Sequence, residues 1–525
     1  MRKHLTRVLG FILALGLFCG LIPTAVILAA DEPDIKQIYI LHTNDMHGRA
    51  IGDNGPGKDG LPVTNGSIGY SRYKTLIETL REVNEDRVLV LDAGDTTHGT
   101  NFASLSKGQS IIRLMNDLGV SAMALGNHEF NYGQKGIEDL ANEADFPFLA
   151  ANIVRTEDGK CPYDEQLILE VDGIKIGIFG VSTPETKVKA SPKHTEGLDF
   201  IDPAITAAEQ VAALEEETDA IVMLAHLGMD AESEYTSTYV VDQVDGIDVI
   251  IDGHSHHSLP EGELHSETLI CQTGNYLENV GLVTLTFTDG ELTETTARLI
   301  SFLEAQQYAP DEDVDAAIAA IEEENQRITS VEVGELATKL DGEREDVRTR
   351  ETNLGDLITD AMLAATGADV VITNGGGIRA SIEAGTITMG DLLTVLPFGN
   401  MVTVIEVTGA DIRAALEFGT DSYPETAGKF PHVAGMSYEL HKADDGYTVE
   451  NIKVGDADLD DAATYKLATN DFMAEGGDGY EMFAQKPLLL LEGLMVDILR
   501  DYVVELIAEG GALDVAVDGR ITVVE

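Results

Sequence analysis

Five apolar runs in the first 300 residues stop on side chains that bind metals. IYILHTNDMH (38–47) delivers Asp45 and His47, VLVLDAGD (88–95) Asp95, and SAMALGNH (121–128) Asn127 and His128. IVMLAHLG (221–228) brings His226, and IDVIIDGHSH (247–256) His254 and His256. A lone histidine at a strand end is usually a packed or hydrogen-bonded residue. Five runs ending alike form a pattern, because strand ends on one side of an open α/β sheet form its ligand crevice. Carboxylate, imidazole and amide oxygen suit divalent ions such as Zn²⁺, Mn²⁺, Co²⁺ or Fe²⁺. The set exceeds one tetrahedral site and is enough for two neighbouring ions sharing a carboxylate. Their charge, only half offset by Asp45 and Asp95, would attract a phosphate, and a water held there would lose a proton near neutral pH.

Elements of a particular kind must position these groups. The near-continuous apolar runs predict strands covered on both faces, as in a layered α/β sheet. Helix-like stretches such as YSRYKTLIETLREV and GQSIIRLMNDLG separate them.

Asp45-Met46-His47, Gly94-Asp95, Gly126-Asn127-His128-Glu129, His226 and Gly253-His254-Ser255-His256, in this order, resemble the calcineurin-like metallophosphoesterases. The resemblance implies a four-layer α/β sandwich over residues 35–305. It places Asp45, His47, Asp95 and His256 on one metal, and Asp95, Asn127, His226 and His254 on the other. His128 would sit beside the phosphate as a catalytic residue. Asn131 occupies the place of an acidic partner that usually orients this histidine and raises its pKa. An amide keeps the orientation but not the charge support, so the expected pH optimum lies lower than with an aspartate.

Next comes YAPDEDVDAAIAAIEEENQRI, whose Val314, Ile318, Ile321 and Ile328 make one apolar helical stripe. It is expected as a connector over residues 306–332. NLGDLITDAMLAATGADVVITNGGGIR then reads as a helix stopped at Gly367, a strand and a glycine-rich turn. Leu354, Leu357, Ile358, Ala361, Leu363 and Ala364 are its expected core. The glycines permit close approach, but without GxGxxG spacing they are no dinucleotide fingerprint. With VLPFGN, FPHVAG and TNDFMAEGGDGY, this region resembles the substrate domain of the 5′-nucleotidases, expected over residues 333–525. The overall expectation is therefore an α/β protein of two domains. The match implies a nucleobase sandwiched by Phe398 and Phe472, with Asp478 and Asn400 on ribose or base edges. It assigns Arg350, Asn374 and Arg379 to phosphate or ribose, beside the close-approach glycine Gly376. Aromatic faces accept any base, and guanidinium forks suit phosphate oxygens.

Composition narrows the partners. The chain has 34 basic and 92 acidic residues, a formal net charge of −58. Nucleic acid is excluded as a partner by such a surface, which also suits strong brine, where self-repulsion is screened. Residues 1–30 begin with Arg2, Lys3 and Arg7 and continue as an apolar run, the pattern of a secretory signal peptide or a retained membrane anchor. Either would export the protein. Of the three cysteines, Cys161 and Cys271 lie beyond that segment, too few for a disulfide framework, and Cys271 is expected as a buried thiol.

The expected activity is hydrolysis of nucleoside 5′-monophosphates by a two-metal site. The same resemblance admits UDP-sugar diphosphatase or 2′,3′-cyclic-nucleotide phosphodiesterase chemistry. A thiosulfate-ester hydrolase fits less well, since both aromatic positions of a base clamp are present. A non-catalytic acidic binding scaffold would have no use for the complete ligand set.

Overall fold

The computed structural model describes residues 33–53, 66–84, 87–190, 192–231, 233–443 and 446–524. The segment expected as signal peptide or anchor lies outside them. Among the described residues, no helix is long and apolar enough to cross a membrane.

Two six-stranded sheets build the first domain. In one, strands Ile35–Thr43, Val88–Asp92, Ala122–Ala124 and Phe148–Leu149 run parallel, extended by the antiparallel hairpin Asn279–Thr288 and Glu291–Ser301. In the other, Ile174–Ser182, Ala220–His226, Val249–Ile251 and Thr268–Cys271 run parallel between two antiparallel edges. Alternation along each strand divides its side chains between two cores. Ile38, Ile40, Leu89 and Leu91 meet Ile176, Ile178, Val222 and Leu224 between the sheets. Their neighbours Leu41, Val88, Val90 and Met123 face an outer layer containing helices Tyr70–Val83 and Gln109–Leu118. On the far side, Phe179, Val181, Ile221 and Met223 pack against helix Pro203–Leu214. The order helix, sheet, sheet, helix is the expected four-layer sandwich. Cys271 is free and buried in the central core.

Helix Glu312–Thr329 follows, its first turn capped by the Asp311 carboxylate accepting from Asp313 N and Val314 N. Val314 and Ile318 are buried in the first domain's outer core and Ile321 is half-buried there. Ile328 departs from the expected stripe and is 49% exposed.

The second domain has a five-stranded sheet covered on one face by helices Asn353–Thr366, Met389–Val395 and Met495–Gly510. The other face packs against helix Gly409–Gly419 and a four-stranded sheet. Gly367 does end its helix, with a left-handed φ of 58°. Leu354, Leu357, Ile358 and Ala361 are core as expected, but Met362 completes the face. Leu363 is only half-buried and Ala364 exposed, since they turn away from the buried side of the helix.

Asp356 is buried on this helix, and neither carboxylate oxygen makes a hydrogen bond. Burial raises its pKa to about 8, although Arg520 Nε lies 3.5 Å away and opposes the shift. The unfolded chain releases this proton near pH ~4. The folded state therefore binds the proton more tightly, and stability falls as pH rises from about 4 to about 8. Asp356→Asn keeps the neutral form at every pH. Thermal unfolding followed by circular dichroism at pH 5 and pH 8 should show the variant gaining on the wild type by on the order of 2–4 °C at the higher pH.

Candidate metal centre and substrate cleft

The parallel registers place the carboxyl ends of both sheets' central strands on one edge, and the chain turns sharply there. Asp45, His47, Asp95, His254 and His256 all take left-handed backbone angles, with φ between 46° and 73°. Each such non-glycine residue costs about 1–2 kcal/mol. Local propensity therefore does not choose these angles; the surrounding hydrogen bonds hold them.

Asp95 connects the set. Its backbone N–H donates to Glu129 Oε2 (2.9 Å), and its Oδ1 accepts from His128 N (2.7 Å). Its Oδ2 lies 3.2 Å from His226 Nε2 and 4.0 Å from His128 Nε2. Asp45, His47 and His256 form a second group, with Asp45 Oδ1 3.3 Å from His256 Nε2. His47, Asp95 and His128 link it to Asp95, His226 and His254. Asn127 is buried beside them, and its Oδ1 has no hydrogen bond. Asp45 Oδ1 and His226 Nε2 also lack one. His226 Nδ1 is committed to the Ala93 carbonyl at 2.7 Å, so Nε2 is presented inward. Close approach of N and O atoms without hydrogen bonding is what a ligand set aimed at a common point produces.

Electrostatics agree. Burial alone would lower the pKa of His226, but Asp95 and Asp45 override it and raise the value to about 10. Burial would raise both carboxylates, yet the histidines hold Asp45 and Asp95 below their ordinary range. The cluster therefore calls for positive charge. His128 differs: burial, aided by Arg379, lowers it to about 4 against the pull of Asp95. Asn131 Nδ2 lies 2.8 Å from His128 Nδ1, so the amide does orient the ring.

Two further carboxylates carry the loops. Glu129 is fully buried and accepts from the backbone N–H groups of Asp95, Thr96, Thr97 and Gly126 and from Thr97 Oγ1. Asp252, also fully buried, accepts from Leu227 N, Gly228 N and Gly253 N, tying the His226 strand end to the His254 loop. Neither was singled out from the sequence, although Glu129 lies within the Gly126–Glu129 motif. Gly126 is required for packing, since a Cβ there would stand 2.2 Å from Asp95 Oδ1.

The second domain faces this edge across a cleft of about 700 Å³, lined by His47, Arg49, Tyr276, Arg379 and residues of helix Glu312–Thr329. Arg379 lies over Phe398, 5.5 Å from the ring centroid, and its Nη1 reaches the Gly376 carbonyl at 3.4 Å. Burial, with Arg344 and Arg379 nearby, lowers Arg348 to about 9, and its Nε is buried without a hydrogen bond. The structure does not bring Arg350 to this group. Its side chain is 56% exposed and pairs with Asp341 (3.1 Å) and Asp346 (2.7 Å). The short helix Arg344–Val347 puts positions 344 and 348 on one side and turns position 350 away. Arg348, which was not singled out from the sequence, is thus the arginine of this stretch that lies near Arg379.

Asn374 Nδ2 donates to Asp478 Oδ2 (2.6 Å), and Asn374 Oδ1 accepts from Asn470. Asn374, Asn400 and Phe398 line a pocket with Ile358, Leu396 and Met495. Gly376 N donates to the Gly428 carbonyl. Phe472 is half-buried and lies against Gly477, where a Cβ would stand 2.4 Å from its ring. Phe398 stacks on His98 (centroids 5.1 Å, 15°) and nears His128 (5.9 Å). Among the described residues, no ring contact joins Phe398 to Phe472.

Comparison with known proteins gives two family matches: calcineurin-like phosphoesterase over residues 38–258, and 5′-nucleotidase, C-terminal domain, over residues 327–485. A 5′-nucleotidase of Diplobatis ommata is 31% identical over 545 residues, covering 93% of this chain and 90% of that protein. The trifunctional nucleotide phosphoesterase protein YfkN of Bacillus subtilis is 32% identical over 86% of this chain, which spans only 32% of that protein's length. The crystal structure of a 5′-nucleotidase precursor from Thermus thermophilus superposes with a TM-score of 0.78 at 31% identity, covering 93% of this chain and 99% of that one.

Replacing Glu129 by Gln puts an NH₂ where an oxygen accepts backbone N–H groups. Metal analysis after dialysis of Mn²⁺-loaded protein should show retention weakened about 10–100-fold, with the circular dichroism spectrum unchanged. Full retention would show that Glu129 does not hold the Asp95 loop.

Proposed function

The chain belongs to the 5′-nucleotidase family of phosphoric-ester hydrolases, and we propose that it is an exported, metal-dependent enzyme converting nucleoside 5′-monophosphates to nucleoside and phosphate. The observation that carries this reading is a carboxylate, Asp95, grouped with His47 and His128 on one side and with His226 and His254 on the other, beside a cleft lined by His47 and Arg379.

Two divalent ions fit the donor set, given the unbonded inward atoms of Asp45, Asn127 and His226. Asp45, His47, Asp95 and His256 would hold one; Asp95, Asn127, His226 and His254 would hold the other. When bound, such ions polarise a phosphate and acidify water near neutral pH. The remaining chemistry belongs to the chain. With Asn131 donating to Nδ1, the His128 proton sits on Nε2, on the side of Asp95. From there it donates to a phosphoryl oxygen and supports charge on the leaving oxygen. Arg348 and Arg379 neutralise the remaining phosphate charge. Phe398 and Phe472 take the base between them, and Asp478, fixed by Asn374, accepts from a ribose hydroxyl. Asn400 lines the wall of that pocket, and Gly376 lies against Asn374. Stacking tolerates any base, so selectivity among nucleotides falls to polar groups at the pocket rim. Export rests on the basic and apolar pattern of residues 1–30.

The test is product analysis with Mn²⁺ or with chelator: adenosine and phosphate from AMP, UMP and glucose 1-phosphate from UDP-glucose, and the ring-opened monophosphate from 2′,3′-cyclic AMP. AMP should be cleaved best, and chelator should abolish the activity. Arg348→Ala should raise KM for AMP at least ~10-fold, equivalent to about 1.4 kcal/mol, while Arg350→Ala stays within about twofold, an exposed charge having little leverage on the cleft. Loaded wild-type protein that leaves AMP intact would sink the nucleotidase reading. Equal losses in the two arginine variants would sink the assignment of Arg348.

A further inference from the structure

The loop carrying Asp95 continues into residues that touch the other domain. Three positions after Asp95, His98 is buried, and its ring lies against Phe398 at 5.1 Å and 15°. On its catalytic side, the same imidazole is parallel to His128, with centroids 5.7 Å apart and planes at 4°. Three residues further, Asn101 opens a short helix and turns its Nδ2 to the Gly390 carbonyl (2.8 Å) and Thr394 Oγ1 (2.9 Å). Gly390 and Thr394 belong to helix Met389–Val395, which leads into Pro397 and Phe398. One short segment therefore holds one stretch of the second domain at both ends.

We propose that His98 and Asn101 form an interdomain clasp that sets the register between the Asp95 loop and Phe398. They act as positioning residues: they fix how far the base platform stands from the ligand cluster, and thus which length of substrate spans the two. The proposal rests on the nucleotidase reading for its substrate, but its geometry does not depend on it.

The contacts differ in what they can do. Asn101 supplies two hydrogen bonds that fix the helix along its length. His98 supplies a flat surface behind Phe398, so the base platform is supported from the catalytic domain only when the domains stand as they do here. Aromatic pairs of this kind add modestly to the area they bury. Each contact alone is weak, and together they bias the domain arrangement without locking it. A clasp of that strength permits the domains to part for exchange of substrate and product.

The sequence around the clasp supports a mechanical role. A Cβ at Gly390 would stand 2.9 Å from Thr329 Cβ, so helix Met389–Val395 closely approaches the end of helix Glu312–Thr329. Met389 N also donates to the Val331 carbonyl. The helix is thus anchored at its start to the end of the connecting segment, and along its length to Asn101. Its far end, at Phe398, follows the position that these anchors allow.

Small-angle scattering of the full Mn²⁺-loaded chain, without nucleotide, tests the geometry. His98→Ala and Asn101→Ala should each enlarge the radius of gyration relative to wild type, and the double variant most. Activity tests the consequence: Asn101→Ala should lower kcat/KM for AMP at least ~10-fold, mainly through KM, and leave turnover of p-nitrophenyl phosphate within about twofold, since that ester spans no base platform. Unchanged scattering in the double variant overturns the clasp. An equal fall on both esters also overturns it, because Asn101 would then be acting at the metal centre. Wild type that cleaves p-nitrophenyl phosphate but not AMP refutes the nucleotide reading, while the scattering result still decides the clasp.

Discussion

The cleft depends on the Asp95 carboxylate standing within reach of imidazoles from both sheets. Its two oxygens have separate duties, one accepting the His128 backbone N–H and the other facing His226. That arrangement needs the loop after Val88–Asp92 to cross directly beside the loop after Ala122–Ala124. Glu129 makes the crossing possible by accepting N–H groups from both loops. A carboxylate buried for this purpose is costly unless saturated with donors, which it is here. The geometry of the candidate ligand set is therefore a property of backbone hydrogen bonding first and of side chains second.

Left-handed backbone at five of the candidate ligand positions follows from the same constraint. Strands deliver the chain to the edge in an extended direction, whereas the ligands must turn back toward a common centre between the sheets. Sharp reversal at non-glycine residues stores strain, and the packed sandwich beneath absorbs it. The central core of Ile38, Ile40, Ile176 and Val222 supplies rigidity and no chemistry. Strain at the edge and order in the core fit a site shaped before anything binds, which is where electrostatic stabilisation of a phosphate is most effective.

Much of this was legible in the sequence, for identifiable reasons. Asp45, His47, Asp95, His226, His254 and His256 stood out because charged and imidazole groups are improbable ends for buried strands. A layered α/β sheet followed from apolar runs of strand length separated by helical periods, and its four-layer form from the family resemblance. Arg348 was not legible: two arginines stand two residues apart, and the short helix Arg344–Val347 decides which one turns toward Arg379 and which toward solvent. Glu129 and Asp252 were hidden because their partners are backbone groups distant in sequence, which leave no residue-type signature. Phe398 was legible as an aromatic of the cleft, but its stacking on His98 was not, since that contact exists only through the relative placement of two domains.

The account stands on Asp95 serving two ion sites at once. Anomalous diffraction from crystals soaked in Mn²⁺ measures this directly, because each bound ion gives its own peak. The account predicts two peaks flanking Asp95, one beside Asp45, His47 and His256, the other beside Asn127, His226 and His254, and loss of both in Asp95→Ala. A single peak, or two peaks that both persist without the Asp95 carboxylate, would contradict it.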